Sequence, residues 1–421
     1  MDFAKMIRGG MCSCGKNHTC AIREIAVADG ALYELPRITA GYSRILLVSD
    51  ENTYRAAGER VFTLVGDRVI AKTTFPGKPH LVPNEDAIAR VKADLADADL
   101  ILGVGSGVIQ DLCKYVAENT GVPYMIVATA PSMDGYAATG AAMVLGGMQV
   151  TCPAGLPLAI IADTRVMADA PDEMIRAGYG DIVGKFSALA DWKLSHIVNG
   201  EYFCQEVYDA TLSIVRQTVD AAEAIRAHDK AALSTLCEAL ITVGILMSYV
   251  GNSRPASGSE HHLSHFFKIT GLLWGRDYLP HGIDVAYATY VTTRLRQILV
   301  DADLKECERM AADAYHAELT RVFGPLCDDC IALQNKVDHY NTARRLPIYH
   351  EKQAEICAVL TEMPSPEQIL TILERGGLSL PEFYAFYGED VIRDAIRYAK
   401  ELKDRYTVLW VAHDLGIYGD L

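Results

Sequence analysis

Three histidines stand within five positions of one short segment, GSEHHLSHFFK at residues 258–268. On a helix, side chains four residues apart share a face, so His261 and His265 can converge on one site, whereas the adjacent His262 points about 100° away. Imidazole nitrogens bind divalent metals and carry protons. The spacing leaves open whether these rings do either, or are solvated or hydrogen-bonded on a helix surface.

Two other segments could complete a metal site. GYGDIVGKFSALADW (178–192) places Asp181 at the opening of an apolar helical stretch, where its carboxylate could be a helix cap or a ligand. LPHGIDVAYATYV (279–291) places His281 at the start of another helical run. One carboxylate and two histidines can furnish three ligands and an open position, but the sequence spacing does not show that they meet.

A glycine-rich turn, GVGSGVIQD (103–111), lies where an apolar strand turns into a helix. Glycines let the backbone approach a pyrophosphate, and a helix N-terminus offers N–H groups and a positive dipole end. The turn is not a complete G-x-G-x-x-G and follows a late strand, so an ordinary tight turn is the alternative.

Other polar positions also follow strand-like runs. Asp50 could accept hydrogen bonds from an adenosine ribose, which would disfavour the 2′-phosphate of NADP, or it could cap a helix. TAPSMDGYAATG (129–140) contains a polar turn formed by Ser132, Asp134 and Gly135, at a strand end where α/β sheets place ligands. As a turn alone it needs no function.

The elements that would position these residues change type near residue 170. Before it, short apolar runs alternate with helix-like spacing, which indicates a parallel sheet covered on both faces. The predicted strands are RILLVS (44–49), VIAKTTF (69–75), LILGVG (100–105), YMIVATA (124–130) and LAIIADT (158–164). After it, helical patterns prevail. We therefore predict an α/β domain over 1–170 and an all-α domain over 171–421.

Composition excludes some functions. The 421 residues carry a net charge of −15, which would repel nucleic acid or an anionic membrane, and 50% of them are hydrophobic, enough for packed cores. We see no signal peptide and no apolar run approaching the roughly 18 residues of a membrane span. We expect a cytosolic protein with its eleven cysteines reduced. Cys12, Cys14, His18 and Cys20 could form a metal knuckle, although their spacing matches no standard zinc template.

Taken together and in this order, these segments and SRPASGSEHHLSH (253–265) resemble the glycerol-1-phosphate dehydrogenases, relatives of glycerol dehydrogenase, dehydroquinate synthase and the iron-containing alcohol dehydrogenases. The likeness spans nearly the whole chain, and its opening CSCGKNHTC resembles the bacterial branch. It implies a Rossmann-like N-terminal domain, a helical C-terminal domain, a nicotinamide–metal site in the cleft between them, and a homodimer.

The resemblance also implies roles for single residues. The metal ligands would be Asp181, His261 and His281, while His265 and Asp134 would face the substrate. The residues near NAD(H) or NADP(H) would be Asp50, Gly105, Ser106, Gly107, Asp111, Thr129 and Ser132. Lys185 stands where iron-dependent relatives have a fourth ligand, a histidine, and an ammonium cannot replace it. Three ligands fit Zn²⁺, with Ni²⁺ possible in the bacterial branch. Ala138 stands where the family usually has a serine near the nicotinamide, and alanine lacks the hydroxyl.

The function implied is NAD(P)H-dependent reduction of dihydroxyacetone phosphate to sn-glycerol 1-phosphate. Arg254, just before the histidines, is the predicted phosphate contact. The alternatives are oxidation of unphosphorylated polyols, as in glycerol dehydrogenase, a lyase like dehydroquinate synthase, and a metal-binding protein without catalysis. No nucleic-acid partner and no membrane span are expected.

Overall fold

The computed structural model describes residues 1–146, 148–302 and 310–418. Two compact units divide the chain: Met1–Ile182 with Asp220–Ser253, and Val183–Val219 with Arg254–Leu421. The division falls inside one continuous helix, Asp172–Asn199. The domain boundary near residue 170 stays a prediction.

The strands belong to the first unit. They are β1 (Gly10–Met11), β2 (Asn17–His18), β3 (Glu24–Ala28), β4 (Ile45–Asp50), β5 (Val69–Phe75), β6 (Leu100–Gly105), β7 (Tyr124–Ala128), β8 (Gly140–Leu145), β9 (Met148–Pro153) and β10 (Ala159–Asp163). A six-stranded parallel sheet has the order β3-β10-β7-β6-β4-β5. Its strands β6, β7 and β10 are buried along their whole length, as helices on both faces require.

Helices make up most of the remainder. They are α1 (Phe3–Arg8), α2 (Leu35–Ile38), α3 (Glu51–Thr53), α4 (Glu59–Val65), α5 (Glu85–Asp94), α6 (Gly107–Thr120), α7 (Thr164–Ala168), α8 (Asp172–Asn199), α9 (Gln205–Asp220), α10 (Ala222–Arg226), α11 (Lys230–Val250), α12 (Ser259–Trp274), α13 (His281–Val300), α14 (Ala312–Phe323), α15 (Cys327–Lys336), α16 (Thr342–Glu351), α17 (Gln353–Glu362), α18 (Pro366–Arg375), α19 (Leu380–Tyr387), α20 (Glu389–Tyr398) and α21 (Val408–Leu415). The predicted fold class, a parallel α/β sheet followed by a mostly helical region, is confirmed.

One helix is long and apolar enough to be compared with a membrane span. Helix α11 has a mean hydropathy of 1.7 over an 18-residue window, so by length and composition it could cross a bilayer. However, 72% of that window is buried inside the protein, and Cys237, Ile241 and Ile245 pack in the core of the first unit. Glu238 interrupts the apolar run of this helix. The burial is that of a core helix.

Candidate metal and substrate site

Asp181 lies on α8. His261 lies in the first turn of α12, and His281 is the first residue of α13. Because α8 continues unbroken into the second unit, the part of the helix just after Asp181 fixes its position. There, a Cβ on Gly184 would lie 2.3 Å from the Val285 side chain and 3.5 Å from that of Glu260. The missing side chain therefore lets α8 approach α12 and α13 closely.

The structure brings the three predicted metal ligands together. One donor atom from each of Asp181, His261 and His281 lies within 4.8 Å of the others. The ring centroids of His261 and His281 are 5.0 Å apart. His265 is close but outside this group, with its ring 6.5 Å from His261 and 5.8 Å from His281.

Hydrogen bonds orient each of these ligands. Nδ1 of His261 lies 2.7 Å from Oε1 of Glu260, and Nδ1 of His281 lies 3.0 Å from Oγ of Ser264. With Nδ1 of both rings engaged, Nε2 is the atom each can present to a metal. The backbone N–H of Asp134 donates to Oδ2 of Asp181 at 3.0 Å.

Desolvation controls the charge of this cluster. Burial, helped by the Lys185 ammonium, lowers the pKa of His261 well below its ordinary value. Burial and Lys403 do the same to the pKa of His265. Burial next to Asp191 raises the pKa of Glu260 to about 7. The imidazoles are therefore neutral near pH 7, the form that binds metal.

His262 occupies a different environment from its two neighbours. Its ring is fully buried, and neither ring nitrogen has a hydrogen-bond partner among the described residues. It does not belong to the donor group formed by Asp181, His261 and His281. The helical spacing predicts that His262 points away from the face shared by His261 and His265, and the structure agrees.

The glycine-rich turn joins β6 to α6, as the sequence indicates. A Cβ on Gly105 would lie 2.5 Å from the Ile109 side chain, so the first turn of α6 requires glycine there. Ser106 is the N-cap, and Gly107 begins the helix. Thr129, at the end of neighbouring β7, donates its N–H to the Gly105 carbonyl at 3.2 Å. The first N–H groups of α6 therefore lie at the carboxyl edge of the sheet.

Asp50 ends β4 and caps the short helix α3. Its Oδ1 accepts hydrogen bonds from the N–H groups of Asn52 and Thr53, at 2.7 and 2.8 Å. The capping role is therefore real. Both of these hydrogen bonds are made to Oδ1 and not to Oδ2.

The turn that contains Asp134 is held by a buried cation. Residues Asp134–Ala137 form one turn of 3₁₀ helix, and Ala138 follows it. Lys114 of α6 is fully buried, and its Nζ donates to the carbonyls of Gly135 (3.0 Å) and Gly140 (2.9 Å). The Lys114 ammonium also lies 3.9 Å from Asp111. Lys114 thus links the predicted cofactor turn to the predicted substrate turn.

Comparisons with known proteins show which family this chain belongs to. The family model described as iron-containing alcohol dehydrogenase matches residues 26–171. A glycerol-1-phosphate dehydrogenase of Bacillus licheniformis is 29% identical over 420 residues, covering 97% of this chain and 93% of that protein. The enzyme of the same name from Methanocorpusculum labreanum is 35% identical over 254 residues, 58% of this chain and 68% of that one. The chain belongs to the glycerol-1-phosphate dehydrogenase family.

The solved structures agree on the fold. A probable glycerol dehydrogenase from Sinorhizobium meliloti 1021 matches with a TM-score of 0.60 at 18% identity, covering 94% of this chain and 96% of that one. A sulfoacetaldehyde reductase from Bifidobacterium kashiwanohense matches with a TM-score of 0.59 at 12% identity, over 96% and 99%. These two likenesses show the fold. The sequence relatives confirm the family recognised from the sequence, and the chain is an oxidoreductase of the glycerol-1-phosphate dehydrogenase family.

Several cations lie near α12, and local positive charge is what recognition of a phosphate group requires. Arg254, the predicted contact, is buried and makes two hydrogen bonds to the Glu201 carboxylate, at 2.6 and 2.7 Å, and one to the Tyr406 carbonyl at 2.9 Å. Lys403 and Arg405 are half-buried and lie against Ser257, at 3.5 and 3.3 Å. Among the described residues, Lys403 forms no ion pair with a carboxylate.

Sequence reasoning missed Glu260, Ser264, Lys114 and Lys403. Glu260 and Ser264 carry a weak local signal, since they flank His261 at positions −1 and +3 on the same helix. Lys114 and Lys403 carry none, because each acts on residues that are distant in sequence.

Proposed function

We propose that this protein reduces dihydroxyacetone phosphate to sn-glycerol 1-phosphate, reversibly, with NADH or NADPH and one divalent metal ion. The observation that carries the proposal is the convergence of Asp181, His261 and His281 within 4.8 Å in a chain of this family. Its relatives are named for this substrate and for NAD(P)⁺.

The residues present fit a divalent metal. One carboxylate and two imidazoles make a three-ligand set that leaves a coordination position open for substrate. Glu260 and Ser264 hold the imidazoles as supporting residues do in metal sites. Zn²⁺ or Ni²⁺ suits such nitrogen-rich donors better than Mg²⁺ does. A bound ion would supply Lewis acidity toward the oxygen that becomes negative as hydride arrives.

The remaining chemistry belongs to the chain's own side chains. His265 is half-buried beside the ligands, so its ring can exchange a proton with water and deliver it to the new alcohol oxygen. Asp134 would orient the substrate hydroxyl from a turn that Lys114 holds in place. The nicotinamide cofactor would supply the hydride.

The cofactor would lie along the carboxyl edge of the sheet. The Gly105–Gly107 turn and the N-terminus of α6 would take its pyrophosphate, with Asp111, Thr129 and Ser132 nearby. Asp50 would meet the adenosine ribose through Oδ2, and a carboxylate there would repel the 2′-phosphate of NADP. We therefore propose a preference for NADH.

Lys403 and Arg405, rather than Arg254, would bind the substrate phosphate. The Lys403 ammonium helps to lower the pKa of His265, as it does the pKa of His261 and of His262, so positive charge lies near this histidine segment. Arg254 already shares its charge with Glu201. Lys403, which forms no ion pair with a carboxylate among the described residues, would then supply positive charge for the phosphate.

A cytosolic homodimer completes the proposal. No disulfide joins the described cysteines, which fits a reducing compartment. The homodimer rests on the family resemblance.

The test is a substrate comparison on metal-reconstituted protein. NADH oxidation should be far faster with dihydroxyacetone phosphate than with dihydroxyacetone, and chiral analysis should give sn-glycerol 1-phosphate. Equal rates with the unphosphorylated ketone would favour a polyol dehydrogenase. Turnover of a phosphorylated sugar acid without net NADH consumption would favour a lyase, and either result would overturn the proposal.

A further inference from the structure

The N-terminal hairpin of the first unit contains a second group of side chains that can bind metal. This group is distant in sequence from Asp181, His261 and His281. Strands β1 and β2 pair antiparallel, with Gly10 opposite His18. The loop between them is closed by hydrogen bonds from Cys12 N–H to the Lys16 carbonyl (2.9 Å) and from Gly15 N–H to the Cys12 carbonyl (3.0 Å). Gly15 has φ +85°, which a residue with a side chain rarely adopts.

This tight loop brings two thiols to one imidazole. The donor atoms of Cys12, Cys14 and His18 lie within 4.8 Å of one another, and Sγ of Cys14 is 3.4 Å from Nε2 of His18. The backbone N–H of Cys14 points at Sγ of Cys12, at 3.5 Å. The thiolate is the form of cysteine that binds metal. Cys20, in contrast, lies outside the group as a buried thiol near Ser248.

We propose that Cys12, Cys14 and His18 bind a second metal ion, a structural Zn²⁺. Thiolate and imidazole ligands select zinc over the hard cations Mg²⁺ and Ca²⁺. These three ligands from the hairpin would occupy three of the four positions of a tetrahedral zinc ion. This site is separate in residues and in chemistry from the Asp181 site, which contains no sulfur.

By binding His18, the ion would stabilise the contact between the hairpin and α11. The His18 ring stacks on Tyr249 of that helix, with centroids 5.0 Å apart, and the Tyr249 hydroxyl donates to the Met6 carbonyl. Further along α11, a Cβ on Gly244 would lie 2.9 Å from the Asp134 carbonyl. The hairpin therefore braces the helix on which the Asp134 turn rests.

Cobalt substitution of the full chain tests the proposal directly. Only sulfur ligands give the intense thiolate-to-cobalt charge-transfer absorption, so it reports the hairpin and not the Asp181 site. We expect the band in the parent and in His281→Ala, with about two metal ions per chain in the parent. A parent without the band would overturn the proposal, whatever the variants do.

A matched pair of variants locates the ligands. Cys14→Ser should lose the band and one equivalent of zinc, and its melting temperature should fall. Cys20→Ser, a change of the same type in the same segment, should keep both. Retention of the band and of all zinc in Cys14→Ser, or their loss in Cys20→Ser, would show that the hairpin group is not the site.

Discussion

The carboxylate of Glu260 orients His261 through a hydrogen bond to Nδ1. It also accepts the Gly258 N–H at 2.8 Å, so its position is fixed before any metal binds. We predict that Glu260→Gln weakens metal binding about 10- to 100-fold, because an amide keeps the hydrogen bond to Nδ1 but loses the charge that makes the imidazole a better ligand. Chelator competition on the purified variant measures this. Unchanged affinity would mean that Glu260 supports the helix only.

The three histidines of the opening segment should separate by role. His261→Ala should lose the metal, whereas His265→Ala should keep it and lose kcat/KM, because its ring acts in the transition state. His262 is fully buried, so alanine there would leave a cavity and destabilise the fold, and His262→Phe is the better control. It should keep both metal and turnover. If His262→Phe lost the metal and His261→Ala retained it, His262 rather than His261 would be the metal ligand.

The charge of Lys403 should set the pH dependence of substrate binding. Desolvation and the neighbouring Arg405 lower the pKa of Lys403 to about 7. A lysine with a lowered pKa is charged below that value and neutral above it. We predict that kcat/KM for dihydroxyacetone phosphate falls as pH rises through about 7, and that the fall disappears in Lys403→Arg, which stays charged. The same fall in that variant would place the titrating group elsewhere.

At the scale of the element, a single substitution should most disrupt the contact between α6 and the turn that contains Asp134. Lys114→Met would leave the carbonyls of Gly135 and Gly140 without their buried donor. We predict a kcat/KM for dihydroxyacetone phosphate at least about tenfold lower, with the metal at the Asp181 site retained, because the turn shifts while the ligands remain. Steady-state kinetics and metal analysis check both parts. Parent-like kinetics in Lys114→Met would show that the turn holds itself.

The elements that the sequence predicts well are those with a strong local pattern. The runs at 44–49, 69–75, 100–105, 124–130 and 158–164 became β4, β5, β6, β7 and β10, because wholly or largely apolar strands have few other stable environments. Strand β3 was missed because every residue in it is partly or fully exposed, which leaves little apolar signal. The β8–β9 hairpin was missed because its glycines and alanines read as a loop.

Across the whole molecule, the residues predicted for the site depend on family resemblance more than on local pattern. Asp181, His261 and His281 are 80 and 20 positions apart, and no periodicity links such distances. The structure supplies the link through three helices that Gly184 allows to approach closely. Lys403 lies still further along the chain. Neither the local sequence pattern nor the family resemblance indicated that it lies near the site. A chain of net charge −15 nevertheless gathers cations beside this site, which is consistent with an anionic substrate.

The central claim is that Asp181, His261 and His281 hold the metal on which turnover depends, and metal analysis of Asp181→Asn and His281→Ala alongside NADH oxidation tests it most directly. Each variant should lose one equivalent of metal and its activity with dihydroxyacetone phosphate together, since two ligands do not make a stable site. The variants should retain their helical circular dichroism. Full metal content in either variant, or parent-like turnover without the metal, would contradict the account.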